Sequence, residues 1–278
     1  MKKTTTFVEK LKRIQRKNNS LLCIGLDTDP VNVPVHLRKH ANSQLEFNKR
    51  IIEATSDLVC AYKLNISFYE SAGKRGWETV HKTLDCIPGE IITIGDGKRG
   101  DISNSAERSA HLFCDDWAFD GTTVNPYMGR DAIAPFIKRA DQCAFVLALT
   151  SNPTAKDFQY LMVNGKPLYE IVVGKVKTWN MMNNLGIVAG ATHPDELKRV
   201  RRMVPDMPIL IPGVGAQQDD LELTVKNGCD KNGELAIINI GRAICNLSTG
   251  TDFTQKAREA AIDYRNTINR YRRKYFGE

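Results

Sequence analysis

The apolar residues of the chain gather into short runs separated by polar or glycine-containing turns. The runs occupy 21–26, 58–64, 91–95, 120–125, 144–149, 186–190, 207–211 and 235–240, and most are followed by a segment with helical spacing. Runs this short and this continuously apolar read as parallel strands covered on both faces by helices. Two of the helices are clearly marked. After Asp101, the positions Ile102, Ala106, Ala110, Phe113 and Trp117 step by three or four. After Gly250, so do Phe253, Ala257, Ala260, Tyr264, Ile268 and Tyr271. Each set makes one apolar stripe. Another helix is expected over residues 7–17, ahead of the first strand, with Phe7, Leu11 and Ile14 on one face.

Eight βα units in 278 residues predict an α/β fold, a (β/α)8 TIM barrel forming a single domain over residues 1–278 with an extra N-terminal helix. The alternative is an open doubly wound sheet, but no glycine-rich dinucleotide fingerprint follows the first strand. Two connections are long for a compact domain, a feature often tied to function. Residues 27–43 carry Pro30 and Pro34, and residues 150–167 carry Pro153, Gly165 and Pro167.

Composition changes this picture little. The chain is 42% hydrophobic and 26% charged, with a net charge of +7. Much of the positive charge sits near the ends, at Lys10, Lys12, Arg13, Arg16 and Lys17, and at Arg265, Arg270, Arg272, Arg273 and Lys274. These read as solvated faces of terminal helices. Zinc-finger spacing, an aromatic RNA-binding signature and a long basic tail are all lacking, so no nucleic-acid partner is expected. No run approaches a membrane span, so no membrane partner is expected either. The seven cysteines are odd in number, lack a Cys-x-x-Cys pair, and in three cases (Cys23, Cys60, Cys245) fall in apolar runs. They read as reduced, buried thiols. The N-terminus lacks the apolar core of a signal peptide. A cytoplasmic location is expected.

In a barrel of this kind the active site lies at the C-terminal ends of the strands. There the sequence places Asp27, Lys63 with Asn65, Asp96 with Lys98 and then Asp101, Asn125, Thr150-Ser151-Asn152, Thr192-His193, Pro212 to Gln217, and Gly241-Arg242. Each has a plain structural explanation. Asp27 suits a turn, Asp101 a helix N-cap, His193 before Pro194 a helix mouth, and Ser151-Asn152-Pro153 a turn. Lys63 resists such an explanation. It lies inside a strand among Ala61, Tyr62, Leu64 and Ile66, where a lysine is costly unless an acid meets it, and Asp96 is the obvious acid. Asp96 and Lys98 are two residues apart, so an extended chain would send both side chains to one face. Lysines and acids at adjacent strand ends point to catalysis. The last two strands suggest a phosphate site. Pro212-Gly213-Val214-Gly215 lets backbone amides approach an anion, and Gly241-Arg242 adds a planar charged fork.

These motifs in combination resemble the orotidine 5′-monophosphate decarboxylase family in its longer bacterial-type form, over nearly the whole chain. The signature Asp-x-Lys-x-x-Asp stands as Asp96-Gly97-Lys98-Arg99-Gly100-Asp101. The Lys63 strand, Asn125-Pro126-Tyr127, Thr150-Ser151-Asn152-Pro153, Gly190-Ala191-Thr192-His193-Pro194 and Pro212-Gly213-Val214-Gly215-Ala216-Gln217 are similar to that form too. The resemblance implies a homodimeric lyase that converts the nucleotide OMP to UMP and CO2 with no cofactor and no metal. It implies an alternating-charge array of Lys63, Asp96, Lys98 and Asp101, with Lys98 protonating C6 of the pyrimidine. Asp101, Ile102 and Ser105 would reach into the partner's site. Asp27 and Asn65 would bind ribose hydroxyls, and Ser151 the base. Gln217 would bridge base and phosphate, and Gly241 and Arg242 would hold the phosphate beside the Pro212 loop. Gln218 stands where a glycine is common in the family, which bears on the geometry of that loop. The alternative is a related metal-dependent barrel acting on sugar phosphates as decarboxylase, synthase or epimerase. Lys63 and Gln217 favour the nucleotide enzyme.

Overall fold

The computed structural model describes residues 5–214 and 218–277. Among these residues the eight apolar runs become eight parallel strands: β1 (Leu22–Gly25), β2 (Ala61–Asn65), β3 (Ile92–Arg99), β4 (Gly121–Val124), β5 (Cys143–Leu149), β6 (Leu185–Ala189), β7 (Ile209–Ile211) and β8 (Ala236–Ile240). Each pairs with the next, and β1 pairs with β8 through Leu22↔Ile238 and Cys23↔Asn239. That last pairing closes the sheet into a barrel and excludes the open doubly wound alternative. Helices cover the outside and side chains fill the inside, so β1, β6, β7 and β8 are buried at every position. This is why their sequences show no alternation.

The extra helix is Phe7–Lys17. Thr6 caps it reciprocally with Glu9: the Glu9 amide donates to Thr6 Oγ1 at 3.2 Å, and the Thr6 amide donates to Glu9 Oε2 at 2.8 Å. The helix lies across the end of the barrel where the strands begin. Phe7 meets Phe145 edge-on with ring centroids 5.7 Å apart. The buried Gln15 amide donates to Ala236 O at 2.8 Å and accepts from the Leu235 amide at 3.1 Å. The basic residues of this helix engage acids that stand just before strands. Lys10 pairs with Asp120 and Arg16 with Glu234, each at 2.5 Å, and Lys17 pairs with Glu90 at 2.5 Å. Much of the N-terminal positive charge is therefore balanced locally.

The last helix, Phe253–Phe276, returns along the barrel and buries Phe253, Ala257, Ala261, Ile268 and Tyr271. Ala260 and Tyr264, placed in the apolar stripe by spacing alone, are only half-buried. Arg272 is buried too, donating to Gly233 O at 2.9 Å and to Asn19 Oδ1 at 3.0 Å. The helix after β3 runs Ser103–His111 and continues as a π-helical turn, Leu112–Asp116. Its cap position is Ile102, not Asp101. Asp101 stands one residue earlier, its carboxylate accepting the Ile102 amide at 2.8 Å. Asp101 is not the cap because Ile102 after it is extended, with φ of −107° and ψ of 156°, so the helix begins only at Ser103. The long connections are not bare loops. Residues 27–43 contain two short 3-10 turns, Pro30–Asn32 and Val35–Leu37. Residues 150–167 contain a 3-10 turn, Pro153–Asp157, and a small antiparallel hairpin joining Met162–Val163 to Lys166–Pro167.

Candidate active site

The charged cluster on β3 begins with its glycines. Gly95 and Gly97 face outward, against aromatic rings. A Cβ on Gly95 would lie 2.8 Å from both Phe113 and Phe119, and one on Gly97 would lie 2.5 Å from Phe113. Gly100 has the same constraint against Asn125, at 2.9 Å. The rings exclude side chains outside, so Asp96 between these glycines turns into the barrel. Beyond it the regular strand ends. Lys98 has φ of +46°, and the register with β4 shifts between Gly95 and Arg99. The extended alternation expected of Asp96 and Lys98 therefore does not hold, yet the two side chains meet, Lys98 Nζ donating to Asp96 Oδ1 at 2.7 Å.

Adjacent strands supply the rest of the array. The register places Lys63 beside Gly25 and Asn65 beside Asp96. Lys63 Nζ donates to Asp27 Oδ1 at 3.1 Å and to Asp96 Oδ2 at 3.0 Å. Thr123 on β4 donates from Oγ1 to Asp96 Oδ1 at 2.8 Å. Both oxygens of Asp96 are thus engaged by charged or polar donors. Burial alone would raise the Asp96 pKa, but Lys63 and Lys98, with the bonds from Lys98 and Thr123, hold it down at about 2. Burial likewise favours a neutral Lys63, but Asp27 and Asp96 outweigh it and hold its pKa above the usual lysine value. The two lysines differ in access. The Lys63 side chain is 3% exposed and that of Lys98 is 48% exposed. Lys63 is fixed among acids, while Lys98 faces open space.

That space is a cavity of about 880 Å³ at the C-terminal ends of the strands. It is lined by Asp27, Lys63, Asn65, Asp96 and Lys98 from the ends of β1, β2 and β3, and by Pro212, Gly213, Gly241 and Arg242 from those of β7 and β8, with Asp27 next to Gly241 where the barrel closes. Ser151 also lines it, seated by two glycines. A Cβ on Gly190 would come within 3.0 Å of the Ser151 amide nitrogen, and one on Gly213, whose φ is +88°, within 3.0 Å of Ser151 Cβ. Thr150 behind Ser151 is held by Gln159, which accepts the Thr150 amide and donates to its hydroxyl, both at 2.8 Å. Asp101, Ile102 and Ser105 do not line this cavity; all three are exposed, Ile102 at 55%. Gln217 lies outside the described residues.

This architecture has known counterparts. A family model described as "Orotidine 5'-phosphate decarboxylase / HUMPS family" matches residues 20–252. The chain belongs to this family. An orotidine 5′-phosphate decarboxylase of Dehalococcoides mccartyi is 48% identical over 273 residues, covering 97% of this chain and 99% of the relative. One from Cupriavidus necator is 44% identical over 270 residues, covering 96% and 99%. Among solved structures, the OMP decarboxylase of Leishmania donovani superposes with a TM-score of 0.84 at 32% identity, covering 96% of this chain and 98% of that one.

In this member of the orotidine 5′-phosphate decarboxylase / HUMPS family, three polar residues of the cavity stand outside the motifs read from the sequence: Thr123, Asn239 and Asn246. Asn239 is a buried polar residue within the apolar run Ile237-Ile238-Asn239-Ile240, and its side chain lines the cavity. The signal that singled out Lys63 was present there too. Thr123 gave no such signal, because a threonine in a strand is ordinary. His193, by contrast, proves to be the expected helix mouth, capping Pro194–Met203 with its ring against the Tyr160 hydroxyl at 3.2 Å.

Proposed function

We propose that this protein decarboxylates orotidine 5′-monophosphate to UMP and CO2. The observation that carries this reading is the Asp27–Lys63–Asp96–Lys98 array in a cavity also lined by Gly213, Gly241 and Arg242. The array suits a reacting carbon that becomes negative. The glycines and Arg242 suit a phosphate. Loss of CO2 breaks the bond between C6 and the carboxylate and leaves an electron pair on a carbon without a π-system to spread it. Lys98, the accessible lysine, donates a proton to C6 as the pair develops, then regains one from water. Asp96 lies against the site of the departing carboxylate and holds both lysines in place. Asp27 and Asn65 bind ribose hydroxyls, Ser151 the base, and Gly241 and Arg242 the phosphate, next to Pro212 and with Gln217 bridging base and phosphate.

Magnitudes show why one lysine is insufficient. A cation about 4 Å from the developing charge contributes about 4 kcal/mol at an effective dielectric near 20. Enzymes lower barriers by roughly 8–23 kcal/mol. The remainder comes from preorganised charge and from phosphate binding realised in the transition state.

The reading includes a homodimer in which Asp101, Ile102 and Ser105 complete the partner's site. Their exposure, away from their own cavity, supports it. It also includes a cytoplasmic location, supported by six buried cysteines of the kind stable in a reducing compartment. No helix among the described residues is long and apolar enough to cross a membrane.

The test is the fall in orotidylate absorbance on adding purified protein, with and without EDTA. Turnover that EDTA leaves intact is expected. Turnover abolished by EDTA, or seen only with sugar phosphates, would favour the metal-dependent alternative.

A further inference from the structure

Lys98 carries an unusual backbone for its chemistry. Its φ of +46° lies in the left-handed region, which a lysine adopts at a cost. Its amide is bonded to a side chain instead of a strand partner: Lys98 N–H donates to Thr123 Oγ1 at 2.9 Å. The same hydroxyl donates to Asp96 Oδ1 at 2.8 Å. Its polarity is unambiguous. An amide can only donate and an ionised carboxylate can only accept, so the Thr123 proton must point at Asp96. Asp96 Oδ1 in turn accepts from Lys98 Nζ at 2.7 Å. Lys98 is therefore held at both ends through a single threonine: its backbone directly, its ammonium through Asp96. Thr123 is itself buried, at 1% exposure, on rigid β4.

We infer that Thr123 is the positioning residue for Lys98, holding its left-handed backbone and orienting the Asp96 carboxylate that aims its ammonium. The inference rests on the decarboxylase reading for its effect on turnover, but not for its effect on the backbone. The hydroxyl is the operative group. Valine keeps the shape and removes both bonds; serine keeps both bonds and removes only a methyl group. In Thr123→Val the Lys98 amide loses its acceptor, so the strained turn relaxes and the ammonium drifts from the reacting carbon.

The experiment compares wild type, Thr123→Ser and Thr123→Val by two readouts. The first is orotidylate turnover. Thr123→Val is expected to lower kcat by about tenfold to a hundredfold, the scale of a small misplacement of a reacting group, with KM changed by no more than about twofold. Thr123→Ser is expected to restore most of kcat. The second readout is amide hydrogen exchange at Lys98, which needs no turnover. Exchange should be at least about tenfold faster in Thr123→Val, where the amide lacks its bond, and close to wild type in Thr123→Ser. Wild-type exchange at Lys98 in Thr123→Val overturns the inference, whether or not any of the proteins is active. So does a Thr123→Ser protein as slow as Thr123→Val, which would assign the effect to packing. Absence of wild-type turnover would instead overturn the decarboxylase reading, and the exchange comparison would still decide the role of Thr123.

Discussion

Lys63 reaches from β2 to place its ammonium 3.0 Å from Asp96 Oδ2 on β3, in a setting where neither side chain is more than 10% exposed. Breaking a buried pair by removing one partner is costly because the other charge is left stranded. Lys98 and Thr123 still bind Asp96 when Lys63 is gone, so the loss should be at the lower end. Lys63→Met is expected to lower the free energy of unfolding by ~3 kcal/mol in urea titrations at neutral pH. An unchanged unfolding curve would contradict the view that the pair bears on stability as well as on catalysis.

The same carboxylate sets a pH dependence. Asp96 titrates at about 2 in the fold, against 3.8 for an ordinary aspartate. Its folded-state value is depressed, so the unfolded chain takes up the proton first as pH falls. The stabilisation is fully present above the unfolded value and is lost as pH drops from about 4 towards 2. Its size is about 2 kcal/mol. The stability gap between wild type and Asp96→Asn should therefore narrow between pH 7 and pH 3 in urea unfolding. A gap that stays constant over that range would count against a depressed Asp96.

Gly97 tests the origin of the turn. A methyl group there would press on Phe113, whose ring also lies under the Arg99 guanidinium at 5.3 Å. Gly97→Ala is expected to reduce kcat by about tenfold or more by shifting the flanking Asp96 and Lys98. Shortening the opposing ring should return part of it, so Gly97→Ala with Phe113→Leu should outperform Gly97→Ala alone in orotidylate turnover. Equal rates for the two would show that the ring does not set the turn.

The barrel was legible because parallel strands buried on both faces leave an uninterrupted apolar run, and each of the eight strands fell on such a run. Lys63 was legible for the converse reason: a lysine among Ala61, Tyr62, Leu64 and Ile66 requires a buried acid. Helix details were less so. The extended Ile102 backbone moves the helix start off Asp101, and the burial of Ala261 in place of Ala260 reflects which face of the last helix the barrel takes. Neither is encoded in spacing. Thr123 was hidden because its importance lies in two hydrogen bonds that exist only once β3 and β4 are side by side.

Asp101, Ile102 and Ser105 provide the test of a shared site. Lys98→Ala and Asp101→Ala proteins should each be nearly inactive alone. Mixed under conditions of subunit exchange, they should form dimers in which one site carries both lesions and the other neither. Recovery of activity towards one quarter of wild type is expected when exchange is statistical: half of the dimers are mixed, and one of their two sites is intact. No recovery, with exchange demonstrated by mass labelling, would indicate independent sites.

The most direct test of the central claim is the rate of orotidylate decarboxylation by Lys98→Ala beside wild type, with folding of both verified by circular dichroism. Removing the accessible ammonium removes the proposed proton donor and its positive charge together. Turnover should fall by at least about a thousandfold, combining a general-acid contribution of 10²–10⁴ with the lost electrostatic stabilisation. Turnover within a few fold of wild type would contradict the account, because protonation at C6 would then not depend on Lys98.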